Sequence, residues 1–386
     1  MFPNQNCKLL KSLFVILSTT IILSACGKDS PKTNDSKTNQ TLGNKVVSDS
    51  NKEGANETIK SENDGSTEIE TKTNVDPKPI VSEPTETYNI LPQPKEGDNF
   101  SYRVTQKSTT EMSGIRGIED KVYCFSMKVT GVNKDGSYTM DMVYDSIRAM
   151  QEMPPNKMDS LGKKIRYNSQ DKTTKKVAGA DQFEALIGNK VILTFSKKGE
   201  LREVANIDPI VNAILGNKKD SIKPQTLEQI KLALKLEGFQ SVVQQLFMQS
   251  LPEDPIIAGK EWTRKDTATA LGVPSIGLYS YKLADINEVK DRKCARIIVS
   301  LSSTFPQKKF SNKELNAILD DAKMEGGGEN YIDIETGFPI SKKTKLTSLL
   351  IMTGEGKVGE SKGKKQQISQ KISNNTIVEL LSFERR

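Results

Sequence analysis

Long runs of strict apolar–polar alternation constrain this 386-residue chain more than any other feature. Tyr123, Phe125, Met127 and Val129 alternate with Cys124, Ser126 and Lys128. Asn133-Lys134-Asp135-Gly136 then reverses the chain, and Tyr138, Met140, Met142 and Tyr144 resume the pattern. A side-chain period of two puts each apolar set on one face of a strand, and a glycine turn between two such runs makes a hairpin. A second hairpin reads across Tyr279–Leu301. Val191, Leu193 and Phe195 lead through Lys198-Gly199 to Leu201 and Val204, and Thr344–Thr353, Lys365–Ile372 and Thr376–Phe383 read as a meander with a Gly- and Lys-rich tip at Gly354–Lys365. The fold class this predicts is mainly β (α+β): curved antiparallel sheets of hairpins and meanders with a few covering helices.

Three segments carry helix signals. Asn206-Ile207-Asp208-Pro209 caps a short helix through Leu215, with proline in its first turn. Gln225–Ser250 presents an apolar stripe of Leu227, Ile230, Leu234, Val242, Leu246 and Phe247, which Gly238 breaks or bends. Ser311–Lys323 opens with Ser311 and Glu314 in capping-box spacing, which predicts a third helix. A faint repeat also shows. Gly97-Asp98-Asn99-Phe100 is echoed by Gly259-Lys260-Glu261-Trp262, and each is followed by an alternating hairpin and a Gly turn, at Gly199 and at Asp333–Gly337. The halves predicted are 92–224 and 251–386, joined by the helical 225–250, as two similar curved sheets that pack together or join edge to edge.

The N-terminus sets location. Lys8 and Lys11 precede an apolar run, Leu13–Leu23, too short to span a bilayer permanently, and Leu23-Ser24-Ala25-Cys26 follows. This resembles a bacterial lipoprotein signal, which implies cleavage between Ala25 and Cys26 and acylation of Cys26 as a membrane anchor. Residues 27–91 are Ser-, Thr-, Asn-, Lys- and Glu-rich with isolated hydrophobics, and read as a disordered linker with a reach on the order of 45 Å. Of 56 basic and 49 acidic residues, ten and twelve precede position 92. That leaves 46 and 37 in the β-rich domain 92–386, a net of +9, which suits anionic headgroups or wall polymers. No basic stripe interleaved with aromatics argues for nucleic acid. The expected location is extracytoplasmic and membrane-anchored, at the outer membrane or cell surface if there are two membranes, since Gly27 is not an acidic retention residue.

Across 97–380 the arrangement resembles a family of uncharacterised bacterial lipoproteins known only as a domain of unknown function. The resemblance rests on Gly259-Lys260-Glu261-Trp262 after Leu251-Pro252, on the Asp333-x-x-x-Gly337 turn, and on Phe195-Ser196-Lys197-Lys198-Gly199-Glu200. It implies a fold and lends no activity or site residues.

Chemistry is sparse. The chain has no histidine, which removes Ser-His-Asp, Cys-His and His-based zinc sites. Ser341-Lys342-Lys343-Thr344 has the letters of a Ser-Lys site without its partner motifs, and reads as surface lysine on a strand edge. No phosphate-binding Gly-x-x-x-x-Gly-Lys loop occurs. Asp320, Asp321, Glu329, Asp333 and Glu335 are the densest acids, and read as solvated turn carboxylates rather than a glycosidase pair or a calcium loop. Catalytic, metal and cofactor residues are therefore expected to be none. Cys7 leaves with the signal and Cys26 takes the lipid, so Cys124 and Cys294 remain, each on the more polar face of a strand, as a disulfide, as two buried thiols or with one thiol reactive. Trp262, the sole tryptophan, reads as a core anchor or a ligand contact. The function expected is non-catalytic binding of a hydrophobic or amphiphilic ligand, which calls for a cavity of roughly 300 Å³. The alternatives are an envelope scaffold binding another envelope protein and, behind it, an acid-based hydrolase.

Overall fold

The computed structural model describes residues 77–80, 85–112, 114–153, 163–176, 180–216, 222–247, 251–270, 273–311, 315–356 and 365–385. The signal with Ala25 and Cys26, the linker to residue 76, and the hairpin tip 357–364 lie outside them. Sixteen strands follow in chain order: β1 (Lys78–Ile80), β2 (Thr87–Tyr88), β3 (Asn99–Met112), β4 (Ile115–Val132), β5 (Tyr138–Met153), β6 (Lys163–Asn168), β7 (Lys190–Phe195), β8 (Leu201–Ala205), β9 (Ile256–Ile257), β10 (Glu261–Ala270), β11 (Val273–Val289), β12 (Arg292–Thr304), β13 (Lys309–Ser311), β14 (Leu315–Asp333), β15 (Pro339–Gly356) and β16 (Lys365–Glu384). Helices are α1 (Ala180–Glu184), α2 (Asp208–Leu215), α3 (Pro224–Ala233) and α4 (Ser241–Leu246), and a π-helical segment, Leu234–Gln240, joins α3 to α4.

The fold is mostly β, with one large antiparallel sheet ordered β1-β11-β12-β14-β15-β16-β3-β4-β5-β7-β8 and not closed into a barrel. β10, β6 and β13 pair β11, β5 and β14, and β2 pairs β9 separately. The chain makes two meanders, β3 to β8 and β10 to β16, which join edge to edge where β16 pairs β3 from Gln370↔Met112 to Glu384↔Asn99. Gly97 and Gly259 both take positive φ at the entries to β3 and β10, as do Gly199 and Gly337 in the turns after β7 and β14. These two turns converge on one segment. A Cβ on Gly199 would meet Pro92, and a Cβ on Gly337 would collide with the Leu91 carbonyl, so both turns need glycine for close approach as well as for φ.

The expected hairpins form, except that Lys365–Ile372 and Thr376–Phe383 are one continuous strand, β16, rather than two arms of a meander. In the β4–β5 turn, Gly136 has φ 81° and Asp135 Oδ1 accepts from the Ser137 amide at 2.9 Å. Lys290 and Asp291 both take positive φ in the two-residue turn between β11 and β12. Of the expected Gln225–Ser250 helix, residues 225–246 are helical and 248–250 lie outside the described residues. Ile230, Leu234, Val242, Leu246 and Phe247 are buried on the first meander beside Phe125, Tyr144 and Phe195. Gly238 widens this helix instead of ending it. It sits in the π segment, and its carbonyl accepts from Tyr144 OH at 2.7 Å.

Three expectations fail. The described part of Ser311–Lys323 is strand, not helix: Ser311 closes β13 and Leu315–Lys323 opens β14, while Glu314 lies outside the described residues. Ala317 and Leu319 alternate inward with Ile318 outward, and a bulge between Leu319 and Asp321 absorbs the acidic pair, so ladder pairing to β15 outweighs local helix propensity. The folded part also begins before residue 92: β1 pairs β11, and Tyr88 and Ile90 are buried with Leu251, Ile286 and Ile297. Finally, Asn206 does not cap α2. Ile207 is the N-cap residue, without a side-chain cap, while Asn206 Nδ2 donates to the Lys190 carbonyl.

Candidate functional site

The helices fill only part of the concave face. Against β3–β5 and β7 the interior is solid, built around Phe100, Tyr102, Phe125, Tyr138, Phe195 and Phe338, all but fully buried. Beyond α4 the trough stays partly open as a cleft of about 140 Å³ between β3, β15 and β16 on one side and β11 and β12 on the other. That is under the roughly 300 Å³ of a small-molecule pocket and close to the ~150 Å³ that accommodates one benzene ring. The expectation of a large internal cavity is thus corrected: the cleft encloses part of a ligand, not a whole lipid. A groove of about 340 Å³ between α2 and α3 is larger, but it is a surface furrow lined by the exposed Asp208 and Glu228 and by Lys231, which is ion-paired to both acids.

Each wall of the cleft follows from strand parity. Tyr279, Tyr281, Val299 and Leu301 project from β11 and β12 as an apolar wall, with Leu346 and Phe247 at its margins. The Tyr279 and Tyr281 rings lie nearly parallel, 6.4 Å apart, and Trp262, register partner of Tyr281, stacks behind it at 5.4 Å. Trp262 is therefore a half-buried brace of the wall rather than part of its surface. The opposite wall is polar: Gln106, Ser108, Thr376, Asn374, Thr344 and Lys342. Ser108 and Asn374 face each other across the β3–β16 ladder, and Ser108 Oγ and Asn374 Oδ1 are buried without a hydrogen-bond partner.

The crease between the walls is the run Gly326-Gly327-Gly328 in the middle of β14. A Cβ on Gly326 would lie 2.7 Å from the Lys345 carbonyl oxygen, and one on Gly328 would overlap the Lys343 carbonyl. Glycine lets the β14 and β15 backbones close tightly there and leaves the floor bare of side chains.

Lys342 is the unusual charge. It sits on β15, an interior strand, in phase with the inward-facing Leu346 and Leu350, so the reading of an edge lysine is overturned. Its Nζ donates to the Gln245 carbonyl in the last turn of α4 at 2.8 Å, a placement that suits the negative end of the helix. Among the described residues no carboxylate pairs with it, and burial pulls its pKa down to about 8. The acids that line the cleft are already matched, Glu119 by Lys121 at 2.7 Å and Asp266 by Arg264 at 2.7 Å. Asn330, register partner of Lys342 on β14, is 1% exposed, and neither atom of its amide has a hydrogen-bond partner. Lys342, Asn330 and the tyrosine pair escaped the residue-type reading. The signal was present, since Lys342 keeps period two with Leu346 and Leu350, and three glycines interrupt an otherwise continuous strand.

The other candidate residues do not converge. Cys124 and Cys294 are free thiols on β4 and β12, five strands apart, or ~24 Å along the sheet, so the disulfide alternative is not made here. Cys294 faces the core rather than a polar surface, and burial pushes its pKa up to about 12. Asp320 and Glu335 lie ~50 Å apart along β14 and the turn after it. Asp320 accepts from Thr353, while Glu329, Asp333 and Glu335 pair with Arg296, Arg292 and Arg385. Among the described residues no three acids or cysteines gather as metal ligands.

A family model of unknown function matches residues 135–339, from the β4–β5 turn to the start of β15. The chain belongs to the DUF6263 family. No curated protein sequence matches it. Among solved structures, lipovitellin, from work on its lipid–protein interactions, aligns at 10% identity with a TM-score of 0.38, over 75% of this chain and 26% of that one, so the chain spans about a quarter of lipovitellin's length. An outer membrane channel from Pseudomonas putida F1 aligns at 7% identity and TM-score 0.18, over 74% and 97% of the two chains. A DUF1329 family protein from Desulfovibrio piger aligns at 10% and 0.15, over 75% and 86%. These scores fall short of a common fold.

Proposed function

We propose that this DUF6263 protein is a non-catalytic, lipid-anchored protein of the extracytoplasmic face that binds an amphiphilic ligand in the cleft. The observation that carries the reading is the opposition of two unlike walls across one partly open space, stacked tyrosines with Val299 and Leu301 against hydroxyls, amides and Lys342. An apolar ligand would strand the polar wall, and a fully polar one would leave the tyrosine wall unmatched. The Leu23-Ser24-Ala25-Cys26 signal supports anchoring through acylated Cys26. The dispersal of the acids along β14, most of them matched to cations, supports binding over catalysis.

Native mass spectrometry of the full chain, extracted from its own membrane without denaturation, tests this. An added mass that disappears on denaturation, and is lost in Leu301→Arg, is the expected result. A clean unliganded mass, with no affinity for any amphiphile on titration, overturns the reading. The same spectra report the acyl mass expected on Cys26.

A further inference from the structure

Resting on the cleft reading, we infer that the ligand carries an anionic head, seated at Lys342, with its apolar part against Tyr279 and Tyr281. Three independent observations meet at this spot. First, a half-buried ammonium has a helix carbonyl as its partner and, among the described residues, no counter-ion. A cation held this way is costly unless something neutralises it. Second, the acids that line the cleft, Glu119 and Asp266, are committed to Lys121 and Arg264, and Lys107 and Lys345 also line it, so the space carries net positive charge. Third, Asn330 is fully buried with its amide donors and acceptor unused, directly across the β14–β15 ladder from Lys342. A carboxylate or phosphate oxygen would satisfy the ammonium, next to an amide that has no partner of its own. The glycine crease keeps the floor beside them clear, since Gly328 lies two residues from Asn330 on the same face of β14.

The size of the cleft restricts the tail. At about 140 Å³ it encloses a ring or a few methylenes, so a single-chain amphiphile fits and the remainder of its chain runs out along Leu346, Leu350 and Ile372 of the adjoining apolar cluster.

Trp262 supplies the readout, being the sole tryptophan and stacked on the back of Tyr281. The full chain, its Lys342→Met variant and its Lys342→Arg variant are titrated with decanoate, decyl phosphate and uncharged decanol below their micelle concentrations. Binding is followed by Trp262 emission and by calorimetry. Wild type is expected to prefer the two anions over decanol by about tenfold or more. Lys342→Met should lose that preference while still binding decanol, and Lys342→Arg should keep it. The ratio of decanoate to decyl phosphate affinity names the head group. Equal binding of all three probes, unchanged in Lys342→Met, overturns the anionic head and leaves the amphiphile cleft standing. No binding of any probe overturns both.

Discussion

Replacing Lys342 by methionine separates a lysine that holds a helix in place from one kept charged for a ligand. Methionine keeps length and apolar volume, so packing is largely conserved. The half-buried ammonium has its pKa lowered from 10.5 to about 8, and at 1.36 kcal/mol per pH unit this amounts to at most about 3 kcal/mol of cost at neutral pH. Against it stands the bond to the Gln245 carbonyl, worth about 1.5–3 kcal/mol for a charged donor. The unliganded variant should therefore be more stable by about 1 kcal/mol, a rise in Tm of about 2 °C for a domain of this size. The pH dependence gives a second handle. Between about pH 8 and 10.5 the unfolded chain holds a proton that folded Lys342 has released, so wild-type stability rises through this window relative to the variant. Below it the cost is constant. Urea titrations of both proteins at pH 7 and pH 10 measure this. A variant less stable by about 1 kcal/mol or more at pH 7, with no change in the difference at pH 10, would refute the argument and make Lys342 a helix anchor.

Other consequences are open to simple tests. Gly328→Ala places a methyl group in the Lys343 carbonyl and should cost at least about 3 kcal/mol by urea denaturation, whereas alanine at Gly131, where a Cβ meets open space, should cost under about 1 kcal/mol. Asp98 is fully buried and held by Arg385 through Nε and a terminal nitrogen at 3.0 and 2.9 Å. Asp98→Ala and removal of residues 385–386 should therefore each destabilise by about 2–4 kcal/mol and combine less than additively. Brief iodoacetamide treatment followed by peptide mapping should label Cys124 and spare Cys294, whose thiol is buried and whose pKa is pushed up to about 12. Equal labelling would show that the core around Phe338 and Val289 opens readily.

The sheet was legible because period-two alternation is a local signal that burial of one face preserves. Tyr123–Val129 and Tyr138–Tyr144 project inward as their spacing says. The join of the two meanders was legible only as an option, since pairing of β16 with β3 depends on residues at opposite ends of the domain. Ser311–Lys323 misled because capping geometry is local, while the β15 ladder that recruits the segment is not. The cleft was hidden for a related reason. Lys342 looks like any surface lysine until β15 is placed in the sheet interior, and Asn330 acquires meaning only as its register partner.

The seam between β16 and β3 also dictates an order of events. Met112 opposes Gln370 and Asn99 opposes Glu384, so the two meanders are fully zipped together only once the whole of β16 is present. Each meander can pair strand by strand as it is made, but the central ladder is assembled last, across the longest sequence separation in the domain, where loop-closure entropy slows folding most. Until then the facing edges of β3 and β16 are exposed backbone, open to any other strand. Shortening β16 from Glu384 inward strips the outermost pairs of the seam first and leaves the matching end of β3 as an unpaired edge.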